Sequence, residues 1–518
     1  MTTRAWNVAG VVAVRETERK YDADGAVELP DPGVLTGYDT GAGPEEFDLV
    51  ATYYDTEDLR LLRAGISLRR RSGGDDAGWH LKLPAGGDSR EELRLPLGRA
   101  RRPPAKLAEL VRVHTRGAPL APVAELSTHR RRWKLADARG HQVAELVEDH
   151  VVARAPDGHA VGEGWREVEV ELGEGAAVET LDEIEAVLAG LGLRPARARS
   201  KIARALGDRL PADALRGPRA GGGKSTAGAV LLDYLRAQVE ALRRYDPLVR
   251  RDAPDAVHQM RVAARRMRSA LQAFGRVLDR DRTGALTTEL QWLAAEMGPA
   301  RDGEVLAERL AAIVAELPAE LVVGPVAQDL RLHFDRVHTD ALAAAVKALN
   351  SERYLALHAC LDELLDDPPF TDRARLPAAP ELTRSVRRAY RRMETAMAHV
   401  ETLPAGTERE LALHETRKAA KRLRYATEAT VPAVGKRAAR LQARLRDVQD
   451  VLGDHQDTVV ARAKLRELGA GASSEQGGGF TYGLMYGIEQ ARAQDQERAL
   501  SEVWRRMQAR RAIGWLTG

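Results

Sequence analysis

Glu16, Glu18 and Lys20 alternate along a stretch that follows an apolar run and precedes Tyr21. On a strand, alternate side chains share a face. Two carboxylates and an ammonium would then stand side by side. Such a face makes a poor core. It suits a site that holds a divalent cation together with a polyanion, because hard cations take oxygen ligands and a lysine meets phosphate as a point charge. A solvated strand face can carry the same string, so the chemistry depends on what other stretches supply.

Several of them supply matching charges. Arg69 and Arg71 share a face, Lys82 lies on the next candidate strand, and Arg90 and Glu92 alternate on the one after. Arg130 and Arg132 follow, then Glu145 and Asp149, then Glu167, Glu169 and Glu171, with Lys201 beyond a helical stretch. The opposite faces carry Leu68, Leu81, Leu83, Leu93, Leu95, Trp133, Leu135, Leu146, Val168 and Val170. Basic residues concentrate on some strands and acidic residues on others, whereas a solvated face mixes them. The pattern is that of a tunnel lined with charge. Like charges enclosed there repel, so such a tunnel calls for a bound cation and a bound anion.

The elements that must position these residues are short strands. Period-two segments occur at 11–21, 50–54, 66–71, 79–84, 91–97, 125–135, 142–153 and 165–172. Turn residues at 22–25, 73–75, 86–88, 138–140 and 156–158 separate several of them. Eight short strands with hairpin turns predict an antiparallel barrel or sandwich, interrupted by helices at 106–112 and 178–191. This half is expected to span 1–208. Residues 209–226 read as a linker. Gly223-Lys224-Ser225 within it resembles the end of a phosphate-binding loop, but Pro218 stands where the first glycine belongs and no apolar strand precedes it.

From 227 to 518 leucine and alanine recur at three- and four-residue spacing, and turn signals divide roughly ten helices. An internal repeat is present. His258, Arg261, Arg265 and Arg268 match His414, Arg417, Lys421 and Arg424, and Gly298 to Asp302 match Gly453 to Asp457, at offsets of 156 and 155. Two homologous bundles packed as a pseudo-twofold pair are expected. Positions i, i+3, i+7 and i+10 lie near one helical face, so each bundle presents a basic ridge. Together the ridges would form a groove for an extended polyanion, with salt-sensitive binding. The two histidines are better placed to hydrogen-bond a neighbour or touch phosphate than to bind metal. Basic clusters at 384–392 and 436–446 read as surface.

The 518 residues exceed one ordinary domain, and the overall class is α+β multidomain. Aromatics are only 4%, so the cores must be mostly aliphatic. A net charge of +3 means that any polyanion site comes from local clustering. The single cysteine, Cys360, excludes a disulfide within the chain and fits a reducing compartment. No signal-peptide layout or membrane-length apolar run is apparent, so a cytoplasmic location without a membrane partner is expected. Basic ridges also attract nucleic acid, but few aromatics leave little platform for base stacking, and nucleic acid is not expected as a partner.

Several motifs occur in family order: Glu16-x-Glu18-x-Lys20, the run from Tyr53-Tyr54-Asp55-Thr56 to Arg69 and Arg71, Trp79-His80-Leu81-Lys82, and Ser200-Lys201. Over about 10–207 the chain resembles the CYTH family of triphosphate tunnel metalloenzymes. The resemblance implies an eight-stranded antiparallel tunnel barrel. Its members hydrolyse triphosphates or cyclise ATP with Mg2+ or Mn2+. It implies that Glu16, Glu18, Glu169 and Glu171 hold metal, and that Lys20, Arg69, Arg71, Lys82, Arg130, Arg132 and Lys201 grip phosphate. Glu92, Glu145 and Asp149 would be further acidic tunnel positions and Arg90 a further basic one. Glu167, in phase with Glu169 and Glu171, leaves the register of the metal pair open. Glu16, Glu18, Lys20 and Lys82 are the expected catalytic set. Inorganic triphosphate is the favoured substrate, with nucleoside and thiamine triphosphates as alternatives. Over about 227–513 the chain resembles a CHAD domain, which implies inorganic polyphosphate as the ligand of both ridges, and with it an association with polyphosphate granules. A non-catalytic polyphosphate-binding protein is the alternative to a triphosphatase.

Overall fold

The strand faces carry their side chains in the sense that the alternation demands. The structure, a computed structural model, describes residues 12–23, 29, 32, 37–41, 43–86, 89–209, 226–471 and 478–517. The expected turns at 22–25 and 86–88 and the linker at 209–226, with its Gly223-Lys224-Ser225, lie wholly or partly outside them.

Eight strands form the first unit: β1 (Val12–Asp22), β2 (Glu45–Asp55), β3 (Ser67–Ser72), β4 (Gly78–Gly86), β5 (Ser89–Pro96), β6 (Ala121–Ala136), β7 (Gln142–Arg154) and β8 (Trp165–Leu172). They pair antiparallel in the order β5-β4-β3-β2-β6-β7-β8-β1, and β1 pairs back to β5, which closes the barrel. A two-residue β9 (Arg194–Pro195) adds to β1. Several strands outrun their alternation: β2 begins at Glu45 rather than 50, because β6 supplies ladder partners from Arg132 onward.

Apolar strand residues point outward beneath helices. Helix α1 (Ala105–Leu110) seats Leu107 and Leu110 on Leu68, Trp79, Leu81 and Leu93. Helix α2 (Glu179–Gly190) seats Leu181, Ile184 and Leu188 on Trp133, Leu135, Leu146, Val168 and Val170. Each fully buried leucine contributes about 1.5–3 kcal/mol. With the apolar faces outward, the charged faces turn in.

One end of the interior is different. Helix α3 (Lys201–Leu206) is capped by Ser200, whose hydroxyl accepts from the Ala203 amide at 3.2 Å. Its Ile202 and Leu206 pack with Tyr53, Leu126, Val151 and Trp165. Those four strand residues are in phase with the inward Arg130, Asp149 and Glu167, or paired with Arg69. The bore is therefore charged over part of its length and filled by apolar side chains at the α3 end.

The second unit is helical: α4 (Ala227–Arg250), α5 (Ala256–Ala273), α6 (Arg280–Glu296), α7 (Gly298–Glu316), α8 (Val326–Leu349), α9 (Glu352–Asp366), α10 (Ala378–Thr402), α11 (Thr407–Val434), α12 (Lys436–Gly471), α13 (Gly478–Met507) and α14 (Arg510–Thr517). Helix α5 packs on α4 and α6 as α11 packs on α10 and α12, so the two halves repeat one order. They differ at one joint. Pro299 opens α7 and separates it from α6, since proline lacks the amide a helix interior needs. The matching stretch from Gly453 has Asp454 in that place, and α12 runs on unbroken. No described helix is long and apolar enough to cross a membrane.

Candidate active site and anion groove

Paired residues on antiparallel neighbours project to the same side of a sheet, and the register assembles the bore row by row. Glu18 lies opposite Glu171, which lies opposite Glu145. Lys20 lies opposite Glu169, and Asp149 opposite both Glu167 and Arg130. Across the barrel, Lys82 lies opposite Glu92, and Arg94 opposite His80, which pairs with Arg69. Glu16 is 2%, Glu92 1%, Asp149 0% and Arg71 4% exposed, so these are interior charges.

They neutralise one another in pairs. Lys82 donates to Glu16 at 2.5 Å and lies 3.8 Å from Glu92. Lys20 pairs with Glu169 and sits 3.4 Å from Glu18. Arg130 grips Asp149 with two donors at 2.8 and 2.7 Å and reaches Glu169 at 3.4 Å. Arg90 stands 3.8 Å from Glu18. Arg69 approaches Glu92 at 3.8 Å and donates to the Tyr53 hydroxyl at 3.3 Å. Lys201 is enclosed by Asp149, Glu167 and Glu169 at 2.8, 2.8 and 2.7 Å.

The electrostatics follow from this enclosure. Burial works to raise the Glu169 carboxyl, but Lys20, Lys201 and Arg130 overcome it and hold it well below the ordinary range. Burial likewise opposes Glu18, and Lys20 and Lys82 bring it down. Glu171 has no such rescue. Burial and the charges of Glu16, Glu18 and Glu145 push it up to about 7, against Lys82. Glu16 is raised by burial and by Glu92, against Lys82. Glu171, opposite Glu18 and Glu145, is thus the carboxyl shortest of positive charge. Oxygen donors of this kind are those a hard divalent cation takes.

A second carboxylate group, Asp149, Glu167 and Glu169, is buried with its ligand oxygens within 4.8 Å of one another. Lys201 meets all three, Arg130 and Lys20 add charge at Asp149 and Glu169, and Trp165 Nε1 donates to Glu167 at 2.6 Å. Two expected residues stand at the opposite end from α3. Arg132 pairs with Glu45 and Asp75, and Glu145 accepts from Gln142 at 2.9 Å.

Sequence reasoning passed over Arg94, His80, Tyr53 and Asp76. Arg94 donates to Glu16 at 2.7 Å and also pairs with Glu92; its phase with Arg90 and Glu92 was the available signal. His80, in phase with Lys82, contacts Glu92 at 3.0 Å. Tyr53 opens the motif run that ends at Arg69 and Arg71, but nothing there gave it a role, and nothing in the local sequence marks Asp76.

In the helical unit α5 and α11 pack against each other, and the two basic ridges meet. Arg261 donates to Asp302 at 2.9 Å and to the Gly298 carbonyl at 3.0 Å. Its counterpart Arg417 lies 3.9 Å from Asp457, beside Gly453. Arg424 donates to Gln449 at 2.7 Å. Burial, Arg417 and Arg265 push the Lys421 ammonium down to about 7. Burial, Arg422 and Arg265 lower Arg268. Cations from both halves therefore press on one another. Buried Nε atoms of Arg261, Arg265 and Arg417 have no hydrogen-bond partner among the described residues. His414 Nδ1 meets Gln456 at 2.6 Å, while burial and Arg301 lower the His258 imidazole below its ordinary value.

Comparison with known proteins agrees with this geometry. The CYTH domain model matches 14–204 and the CHAD domain model matches 233–466. Two uncharacterized Mycobacterium tuberculosis proteins, MT2285 and Rv2226, are each 37% identical over 489 residues, covering 91% of this chain and 92% of theirs. Among solved structures, PptA from Streptomyces chartreusis matches 54% of this chain and 100% of its own at 23% identity and a TM-score of 0.47. The CHAD domain from the plant Ricinus communis matches 54% of this chain and 92% of its own at 25% identity and a TM-score of 0.44. HpAC1 from Hippeastrum, described with a dominant triphosphatase activity, matches 39% of this chain and 100% of its own at 15% identity and a TM-score of 0.25. With a closed eight-stranded barrel followed by paired helical bundles, the chain belongs to the family of proteins in which a CYTH domain precedes a CHAD domain.

Proposed function

We propose that the barrel hydrolyses inorganic triphosphate with Mg2+ or Mn2+, and that the ridges of the helical domain bind inorganic polyphosphate. The observation that carries the reading is the enclosed bore, with Lys20, Lys82, Arg69 and Arg130 facing Glu16, Glu18, Glu169 and Glu171. Phosphoryl transfer depends on positioning and charge neutralisation more than on covalent help. Lysines and arginines bind and orient the phosphates, and the closed wall limits water. Glu16, Glu18 and Glu171, with Glu169 and Glu145 beside them, would hold the divalent ion. When bound it neutralises phosphate charge and makes water more acidic. Glu171, pushed up to about 7, can hold or release a proton near neutral pH. Lys201, walled by three carboxylates, acts first as their counter-ion and second as a hydrogen-bond donor to phosphate. We assign 1–208 to the barrel, 209–226 to the linker and 227–518 to the helical domain, in a cytoplasmic protein.

The test is phosphate release from inorganic, nucleoside and thiamine triphosphates, with and without each metal. Turnover of inorganic triphosphate that is lost in Glu18→Ala supports the reading. No turnover on any of them ends it.

A second reading, a polyphosphate-binding protein without turnover, is favoured by the unpartnered Nε atoms of Arg261, Arg265 and Arg417. Polyphosphate binding abolished by Arg261→Glu/Arg417→Glu, together with an inert barrel, would select it.

A further inference from the structure

The apolar filling around α3 leaves the bore one charged end. The antiparallel order puts the β3–β4 turn, the start of β2 and the last part of β6 together at that end. There, carboxylates already sit on the cations. Arg71 pairs with Asp76, and Arg132 pairs with Glu45 and, at 2.7 Å, with Asp75. Arg71 is in phase with Arg69, and Arg132 with Arg130, so both arginines belong to the inward set.

Arg71 is not saturated by its contact: it is 4% exposed, and its buried Nε has no partner among the described residues. Arg132 spends Nε on Glu45 and one terminal nitrogen on Glu45 and Asp75. A guanidinium offers five donors in a fixed fork matched to phosphate oxygens. A phosphate entering from this end would satisfy it better than one aspartate does.

The turn is built to stay close. Gly73 has φ +83°, and a Cβ there would lie 2.2 Å from the Asp48 carbonyl oxygen, so only glycine lets the turn press on β2. The Asp76 carbonyl lies 2.8 Å from His80 Nε2, while His80 Nδ1 lies 3.0 Å from Glu92. The imidazole thereby ties the acidic turn to the charged wall.

We infer that Asp75 and Asp76 set which anions the bore retains: they occupy Arg132 and Arg71 until an entering phosphate chain displaces them, and they reclaim the arginines when it is cleaved. A triphosphate carries enough charge to displace two carboxylates. Pyrophosphate and orthophosphate carry less, so the turn favours the longer anion and helps shed the products. This inference rests on the triphosphatase reading for its biological sense but not for its test.

The experiment compares the full-length protein with Asp75→Asn/Asp76→Asn for binding of orthophosphate, pyrophosphate and triphosphate by calorimetry, without divalent metal. The helical domain is common to both proteins and cancels. The expected result is pyrophosphate binding tighter by about tenfold or more, a smaller gain for triphosphate, and a lower inhibition constant for pyrophosphate if turnover is present. Unchanged or weaker binding of all three anions overturns the inference. Asp76→Glu, which keeps the charge, should behave as the unaltered protein. If it instead matches the double variant, loosened packing rather than freed arginines is responsible, and the inference fails. Absence of triphosphate turnover by the unaltered protein would remove the hydrolase reading alone and leave the binding comparison to decide this one.

Discussion

Lys82 on β4 donates to Glu16 on β1 at 2.5 Å, over the strand β5 that lies between them in the sheet. The contact spans the seam where β1 pairs back to β5, so the proposed catalytic pair and barrel closure are one feature. In Lys82→Ala, Glu16 and Glu92 lose a shared ammonium and a phosphate loses its point of attachment. Loss of one preorganised donor costs about 100- to 1,000-fold in kcat. Triphosphate turnover should fall by that amount. A rise in KM alone, with kcat intact, would contradict the assignment.

Lys201 offers a stability test. It is the ammonium among Asp149, Glu167 and Glu169. Breaking a buried ion pair by removing one partner costs about 3–5 kcal/mol. Lys201→Met should therefore lower the midpoint of chemical denaturation by an amount of that order. Divalent cations should restore part of the loss, because the three carboxylates lie within 4.8 Å and would take the ion in place of the amine. Denaturation of both proteins with and without Mg2+ is the measurement.

Glu171 predicts a pH dependence. Its folded value, raised to about 7, stands above the ordinary 4.5, so the folded protein binds an extra proton between them. The stability from that proton is complete below the ordinary value and is lost as pH rises through about 7. Metal binding needs the carboxylate free of its proton. The apparent Mg2+ affinity should therefore weaken below about pH 7, by up to about tenfold per pH unit. Glu171→Gln should flatten the profile between pH 6 and 8. Titration of Mg2+ by calorimetry at three pH values decides it.

The helical groove makes a separate prediction with the opposite direction of charge. Lys421, brought down to about 7, loses its charge as pH rises past neutrality. Polyphosphate affinity should therefore drop between pH 6 and 8, and Lys421→Arg should hold it level, since a guanidinium stays charged. Arg261→Glu/Arg417→Glu should abolish binding at every pH, and raised salt should weaken it in the unaltered protein through counterion release. Affinity that ignores both pH and salt would exclude the groove.

Much of this was legible in the chain itself. Alternation assigns Glu16, Glu18, Lys20, Arg69, Lys82, Arg130 and Glu169 to inward faces because the side-chain period of a strand is two, whatever its neighbours are. The repeat of His258-Arg261-Arg265 at His414-Arg417-Lys421 announces two like bundles because one helix period recurs at one offset. Which charge meets which was not legible. Lys201 becomes the counter-ion of Asp149, Glu167 and Glu169, Arg132 is taken by Glu45 and Asp75, and Tyr53 joins an apolar filling around α3. Pairing, register and closure bring together groups far apart in sequence, and Coulomb energies fall off with distances that only the closed barrel sets.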